Sequence, residues 1–292
     1  PAVGLQSNFY LLGETTNAYA AQLNSTWSDS FSTELRVTRR DYERRQDPYG
    51  GNEFAEFEVC LDAVSIGSGL NCLAPTGGAP SGRVLLGGDQ FRHSNYLSVN
   101  NTGVSWTGQY SGGGHVIKLL AEGQQVKINN LFVPGTRGRY YFDSIADLQA
   151  GRANQLTYAN ALSGDPNDAA ARFNYMSYTF GIQDNWSLTP DLIVTAGLRY
   201  DWIDAEKPQI NDRFRNAYGF ANNAMPTGGV LQPRLGASWD ATSNLRLTAA
   251  VGLFGGGSPD VWFSNGFAND GVRQNNLLFQ RTGTGFVDAT QT

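Results

Sequence analysis

Cysteine, histidine and charge are scarce in this chain. Its 292 residues hold two Cys, two His and 16% charged side chains, with a formal net charge of -5. The acidic balance argues against general nucleic-acid binding, which wants a basic face. His93 and His115 lie in different segments, without Cys, Asp or Glu around them at metal-ligand spacing. No GxSxG, Walker or CxxC motif is present. Acidic stretches such as Asp165-Pro166-Asn167-Asp168 and Asn269-Asp270-Gly271 lack the EF-hand order of ligands and read as solvated turns. The expectation is a protein that is not an enzyme, with no cofactor and no metal. Long apolar runs are also missing: nothing approaches the roughly 18 residues a membrane helix needs. That absence leaves β-barrels open, because their strands hide apolar surface by alternation.

Glycine and aromatics are plentiful: 35 Gly, 16 Phe, 13 Tyr and 6 Trp. They fall into a pattern clearest over residues 172–202. Met176, Tyr178, Phe180, Ile182 and Trp186 share one parity, and Ser177, Thr179, Gly181, Gln183 and Asn185 the other. After Leu188-Thr189-Pro190-Asp191, Leu192, Val194, Ala196, Leu198, Tyr200 and Trp202 alternate with Ile193, Thr195, Gly197, Arg199 and Asp201. A period of two marks strands, because successive side chains leave opposite faces. The Pro-Asp turn makes the pair an antiparallel hairpin. Similar hairpins turn at Ser28-Asp29-Ser30, at residues 111–114 and at residues 241–244. Trp27, Tyr110, Trp186 and Trp239 stand just before the four turns on the apolar parity, as an interfacial girdle would.

Long segments separate the hairpins: residues 39–95, 133–171, 203–229 and everything after 255. Such loops are uncommon in compact soluble domains. They are ordinary on the outer side of a barrel, whose turns are short on one side only. Within them, residues 54–61 read as a strand and residues 143–151 as a short helix with an N-cap and a Gly stop. Cys60 and Cys72 sit in a loop-like stretch, either bridged across a short loop or free.

The predicted fold is all-β: about eight antiparallel up-and-down strands of a transmembrane barrel wall, with short periplasmic turns and long extracellular loops. Leu23, Leu35, Val104, Leu119, Phe180, Val194, Leu198, Leu235, Leu247 and Val251 should face lipid. Glu34, Arg36, Lys118, Glu122, Arg199, Asp201, Arg234 and Arg246 all fall on the polar parity, the lumen side. A charge on the lipid side would cost about 2–4 kcal/mol at mid-depth. These charges either pair with one another or with a plug, or line a substrate path. Arg137, Arg139, Tyr140 and Tyr141 either grip ligand at the outer mouth or pack the loops together.

The stretch QDNWSLTPDLIVTAGLRYDW resembles barrel strands of TonB-dependent outer-membrane receptors. GGDQFRHSN, NLFVPGTRGRYYFDSIADLQAG, NAYGFANN, QPRLGASWD and VGLFGGGSPDVWFSNGFANDGV narrow the resemblance to the Oar-like branch, which carries a carboxypeptidase-regulatory-like domain ahead of the plug. The resemblance implies a plugged barrel of about 22 strands, an outer-membrane location and energised passage of a bulky ligand. Its implied partners are outer-membrane lipid, the receptor's own plug, the TonB complex and an unidentified ligand, with no nucleic acid. On this reading residues 1–292 are a middle section of the barrel domain, without plug or regulatory-like domain. A structural or adhesive surface barrel and a passive porin are the alternatives.

Overall fold

The computed structural model describes residues 2–61, 72, 82–225, 227–257, 260–282 and 285–288. Strand β1 (Ala2–Gly4) leads into a long hairpin, β2 (Tyr10–Ser28) and β3 (Phe31–Pro48). After β4 (Glu56–Cys60) and β5 (Arg83–Gly87) comes a second hairpin, β6 (Asn95–Gly112) and β7 (His115–Phe132). β8 (Arg139–Phe142), helix α1 (Ile145–Gln149) and β9 (Gln155–Ala161) precede the third, β10 (Ala171–Thr189) and β11 (Leu192–Ala205). Helix α2 (Asp212–Tyr218) separates it from the fourth, β12 (Gly228–Thr242) and β13 (Leu245–Gly252). Helix α3 (Asp260–Ala268), β14 (Gln274–Thr282) and β15 (Gly285–Asp288) follow.

The four hairpins form one open sheet, ordered β13-β12-β11-β10-β7-β6-β3-β2, with every neighbour antiparallel. All four tight turns lie at one end. At Gly113 and Gly114 the turn takes φ of 61° and 85°, a left-handed pair that glycine adopts without strain. No described helix is long and apolar enough to cross a membrane.

Register decides which side chains share a face. One cross-strand row runs Leu23, Leu35, Trp106, Ala121, Phe180, Tyr200, Leu231. The ten apolar residues expected to face lipid all lie on this side; nine are exposed and Val194 is half-buried. Trp27, Tyr110, Trp186 and Trp239 fringe it near the tight turns. A second aromatic fringe lies higher, at the other end of the apolar face: Tyr178 stacks on Trp202 at 5.3 Å, with Tyr200 on the same strand. From Trp186 to Tyr178 is about 26 Å along the strand, or about 20 Å of height at a 40° tilt. An apolar band of that height between two aromatic girdles is a membrane-spanning surface.

Three expectations need correction. The strands outrun the band: β3 continues to Pro48, although residues 39–48 read as loop. Arg39, Asp41, Glu43 and Arg45 alternate with Arg40, Tyr42 and Arg44, and water above the membrane satisfies both faces while β2 and β6 pair the backbone. The long segments are not simple loops but build a second sheet, β1-β5-β4-β8-β9-β14-β15. Pairing there is not antiparallel throughout, since β1–β5 and β4–β8 are parallel. These partners come from different excursions, so no local turn dictates their direction. The strand expected over 54–61 is β4, and the helix expected over 143–151 is α1, with the Ser144 hydroxyl accepting from the Asp147 N–H at 3.1 Å. Cys60 and Cys72 are disulfide-bonded, their Cα atoms 5.5 Å apart.

Two outcomes follow for the intact protein. Phe180→Arg should cost about 2–4 kcal/mol of stability by urea unfolding in vesicles. Gln183→Arg, on the opposite face, should cost far less; equal costs would refute the lipid-facing assignment. Replacing Cys60 and Cys72 by Ser should remove about 2–4 kcal/mol from the second sheet, read as faster proteolysis there with the wall strands unaffected.

Candidate functional site

The opposite face of the wall is polar towards its tight-turn end. Arg36, Glu122, Thr179 and Asp201 share one cross-strand row. Glu34, Arg199 and Gln232 share the next, and Lys118 and Arg234 the one after. Arg246 sits opposite Asp240 near the turn. All eight charged residues read from sequence therefore lie on one face, the inner face.

Some of these charges are paired and some are not. The Arg199 Nε donates to both Asp201 carboxylate oxygens, at 2.9 and 3.0 Å. The Thr179 hydroxyl and the Gln232 side-chain amide also donate to Asp201, at 2.7 and 2.5 Å. Gln232 is 1% exposed, and its Oε1 accepts the Gly255 N–H at 2.9 Å. Three wall strands are thus tied to the segment after β13. Thr179 and Gln232 were missed as members; their only sequence signal is the polar parity they share with the charges. Arg246 donates to both Asp240 oxygens, at 2.5 and 2.8 Å. Arg234 lies over the Phe254 ring at 4.8 Å. Among the described residues Glu34, Arg36, Lys118 and Glu122 make no ion pair within 4 Å. Mutual pairing therefore accounts for only part of the set.

Towards the other end the same face turns apolar and is covered by α3, in a stretch read from sequence as loop. Phe263 and Phe267 are 1% and 2% exposed. They pack on Val126, Ile128, Phe173 and Tyr175, and Phe267 stacks on Phe173 at 4.5 Å. The Tyr175 hydroxyl donates to Asp260 at the start of α3 at 2.6 Å. Two neighbouring cavities open on this face, one between α3 and the wall and one between residues 255–257 and the wall. One, of about 660 Å³, is lined by Tyr42, Val99, Asn101, Gln124, Tyr175 and Asp260 among others. Its neighbour, of about 590 Å³, reaches down to Glu122, Arg199, Asp201 and Gln232. Gln124, Ser177, Ile203 and Gly257 border both.

The four residues read as outer-mouth candidates all make contacts within the chain. Arg139 bonds the buried Glu58 and reaches Glu56 at 3.2 Å. Arg83 also pairs with Glu58, at 2.6 Å. Tyr140 stacks on Phe57 at 5.5 Å. Tyr141 is buried, its hydroxyl accepting from the Cys72 N–H at 3.2 Å; burial pushes its pKa up to about 12. The Arg137 Nε donates to the Asn52 carbonyl at 3.0 Å. Burial raises the Glu56 carboxyl above its ordinary range, against the Asn8 amide, the Gln90 N–H and Arg139, which favour its charged form. His93 was set aside in sequence as a candidate ligand and is buried here. Its Nδ1 accepts the Arg137 N–H at 3.2 Å, so its Nε2–H donates to the Gly88 carbonyl at 3.1 Å. Burial lowers its pKa.

Residues 3–284 match the family model described as TonB dependent receptor-like, beta-barrel. No curated protein matches the sequence. Among solved structures, the chain is similar to the copper transporter OprC, at 10% identity and a TM-score of 0.47, covering 92% of this chain and 38% of that one. It is similar to the ferric-catecholate import receptor Fiu of E. coli K12, at 15% identity and a TM-score of 0.45, covering 94% of this chain and 38% of that one. The translocator domain of the autotransporter NalP from Neisseria meningitidis gives 10% identity and a TM-score of 0.36, covering 94% of this chain and 71% of that one. The chain thus spans well under half the length of OprC and Fiu.

The buried His93 generates a pH dependence. Its folded pKa lies below the ordinary value of 6.5, so the unfolded ring takes a proton first. The stabilisation it supports is present above about pH 6.5 and is lost as pH falls through the depressed value. Protonating Nδ1 also removes the acceptor of the Arg137 N–H. Hydrogen exchange at residues 88–94 and 137 should therefore speed up between pH 7 and pH 5, beyond the intrinsic pH effect. His93→Phe should abolish that excess; an unchanged profile would show that His93 is not its source.

Proposed function

The chain belongs to the TonB-dependent-receptor-like β-barrel family, and from that membership we propose that it is part of the wall of an outer-membrane receptor. The receptor passes a bulky ligand across the outer membrane, with energy delivered by a TonB complex through a plug in the lumen. The observation that carries this reading is the division of the wall into two faces. One is an apolar band between two aromatic girdles, suited to lipid. The other carries unpaired charges, the Asp201 network and two cavities, suited to a plug and a ligand.

Glu34, Arg36, Lys118 and Glu122 are the proposed contacts for plug or passing ligand. A bare patch beside Lys118, where Gly181 and Gly197 bring a cavity of about 220 Å³ against Arg199 and Arg234, gives such a partner close access to the backbone. The second sheet stands above the band at the loop end, where ligand arrives. Within the family, the segments at 87–95, 130–151 and 251–272 favour the Oar-like branch.

The test uses the full-length receptor in cells. Ligand uptake should collapse when the proton-motive force is dissipated or TonB is deleted, while surface binding persists. Uptake that survives both treatments would mean a passive porin, and binding without any uptake a surface adhesin. Reversing Arg36 and Lys118 to Glu should lower uptake with little effect on surface binding, since both lie below the mouth.

A further inference from the structure

The cavity beneath α3 and its neighbour under residues 255–257 have a lining that narrows the class of ligand. We propose that they take an uncharged, extended peptide segment bearing aliphatic side chains. This deepens the receptor reading and rests on it.

Hydrogen bonding is the first ground. Asn101 Nδ2 donates to Gln124 Oε1 at 3.2 Å. That bond fixes which end each amide turns outward. Asn101 Oδ1 is left as an acceptor and Gln124 Nε2 as a donor, with no further hydrogen bond to either amide among the described residues. In an extended chain, the N–H and C=O of one residue leave on the same side. One ligand residue can therefore satisfy both amides at once, as a neighbouring strand would. Ser177, next to Gln124 across the strand pair and bordering both cavities, offers a hydroxyl to the following residue.

The apolar lining is the second ground. Leu97, Val99, Val126 and Ile128 form a continuous wall in the upper cavity, while alternate side chains of an extended peptide point to one side. At about 660 Å³ the space suits a few residues, within the roughly 300–1,000 Å³ of small-ligand sites.

Charge and ring geometry disfavour two other classes. A multiply anionic ferric chelate needs several cations, but Arg40 is the one cation described in the upper cavity and lies 5.5 Å from the centre of the Tyr42 ring. In the lower cavity Arg199 is held by Asp201, and Glu122 adds a negative charge. A sugar wants an open aromatic face to stack on. Of the two tyrosines in the upper lining, Tyr42 carries Arg40 and Tyr175 meets the Phe263 ring edge-on at 5.6 Å; the two aromatics of the lower lining, Tyr178 and Trp202, stack on each other.

The test measures fluorescence anisotropy of the detergent-purified full-length receptor with a labelled pentapeptide of Gly and Val, acetylated and amidated at its ends. Saturable binding is expected, displaced by unlabelled peptide and not by maltopentaose or a ferric tris-catecholate. Gln124→Ala should weaken it about tenfold, the value of one good hydrogen bond pair. Val99→Trp, which fills the cavity, should abolish it. Gln125→Ala, on the lipid-facing side of the same strand, should leave it unchanged, and retained β circular dichroism shows that each variant folds. Absence of saturable binding, displacement by the sugar or chelate, or equal binding in all variants overturns the proposal. Because this assay needs neither TonB nor energy, its failure is separate from failure of the uptake experiment.

Discussion

Backbone hydrogen bonding in a medium without water is the constraint on which this structure depends. Inside hydrocarbon each N–H and C=O must find a partner in protein, at several kcal/mol for each one left alone. Long strands in unbroken antiparallel register meet that demand, and register then assigns every side chain to one of two faces. A slip by one residue in β3, β7, β11 or β12 would carry that strand's cation, Arg36, Lys118, Arg199 or Arg234, into lipid. Phe180 outward and Gly181 inward are therefore two consequences of one alignment with Ala121 and Leu120.

Above the girdles the constraint relaxes, and the chain uses the freedom. Water can satisfy either face, so β3 carries charges on both sides and still pairs with β2 as far as Pro48 and with β6 as far as Arg45. The excursions are also free to fold back on one another. What holds them is a disulfide, a carboxylate, Glu58, shared by two arginines, and a small apolar cluster of Val59, Phe142 and Ala153. Such a buried pair contributes little net stability but is costly to break, so it specifies one arrangement of strands from separate excursions.

The wall was legible in sequence because its determinants are local. Trp186, Pro190-Asp191 and Leu192 fix a turn, a girdle position and a parity within a few residues. Parity also identified the eight inner-face charges. The second sheet was not legible, because β4 meets β8 only after an intervening hairpin more than 70 residues away, and local patterning carries no record of that pairing. Residues 260–268 mix Phe, Ser, Asn and Gly, and form a helix because the inner face offers Phe173 and Tyr175 to pack against. Gln232 looked like any polar wall residue until its neighbours were in place. For Tyr141 and Arg139 the sequence left ligand contact and loop packing both open, because local pattern does not show the sheet they enter.

The protruding part of β3 has a consequence for capture. Residues 39–48 extend the wall by about 33 Å of strand, or about 25 Å of height at a 40° tilt, as a hydrogen-bonded collar and not a fringe of loops. The top of the wall is thereby lifted clear of the lipid headgroups. A solute approaching this side of the sheet meets hydrogen-bonded strand before it meets the bilayer.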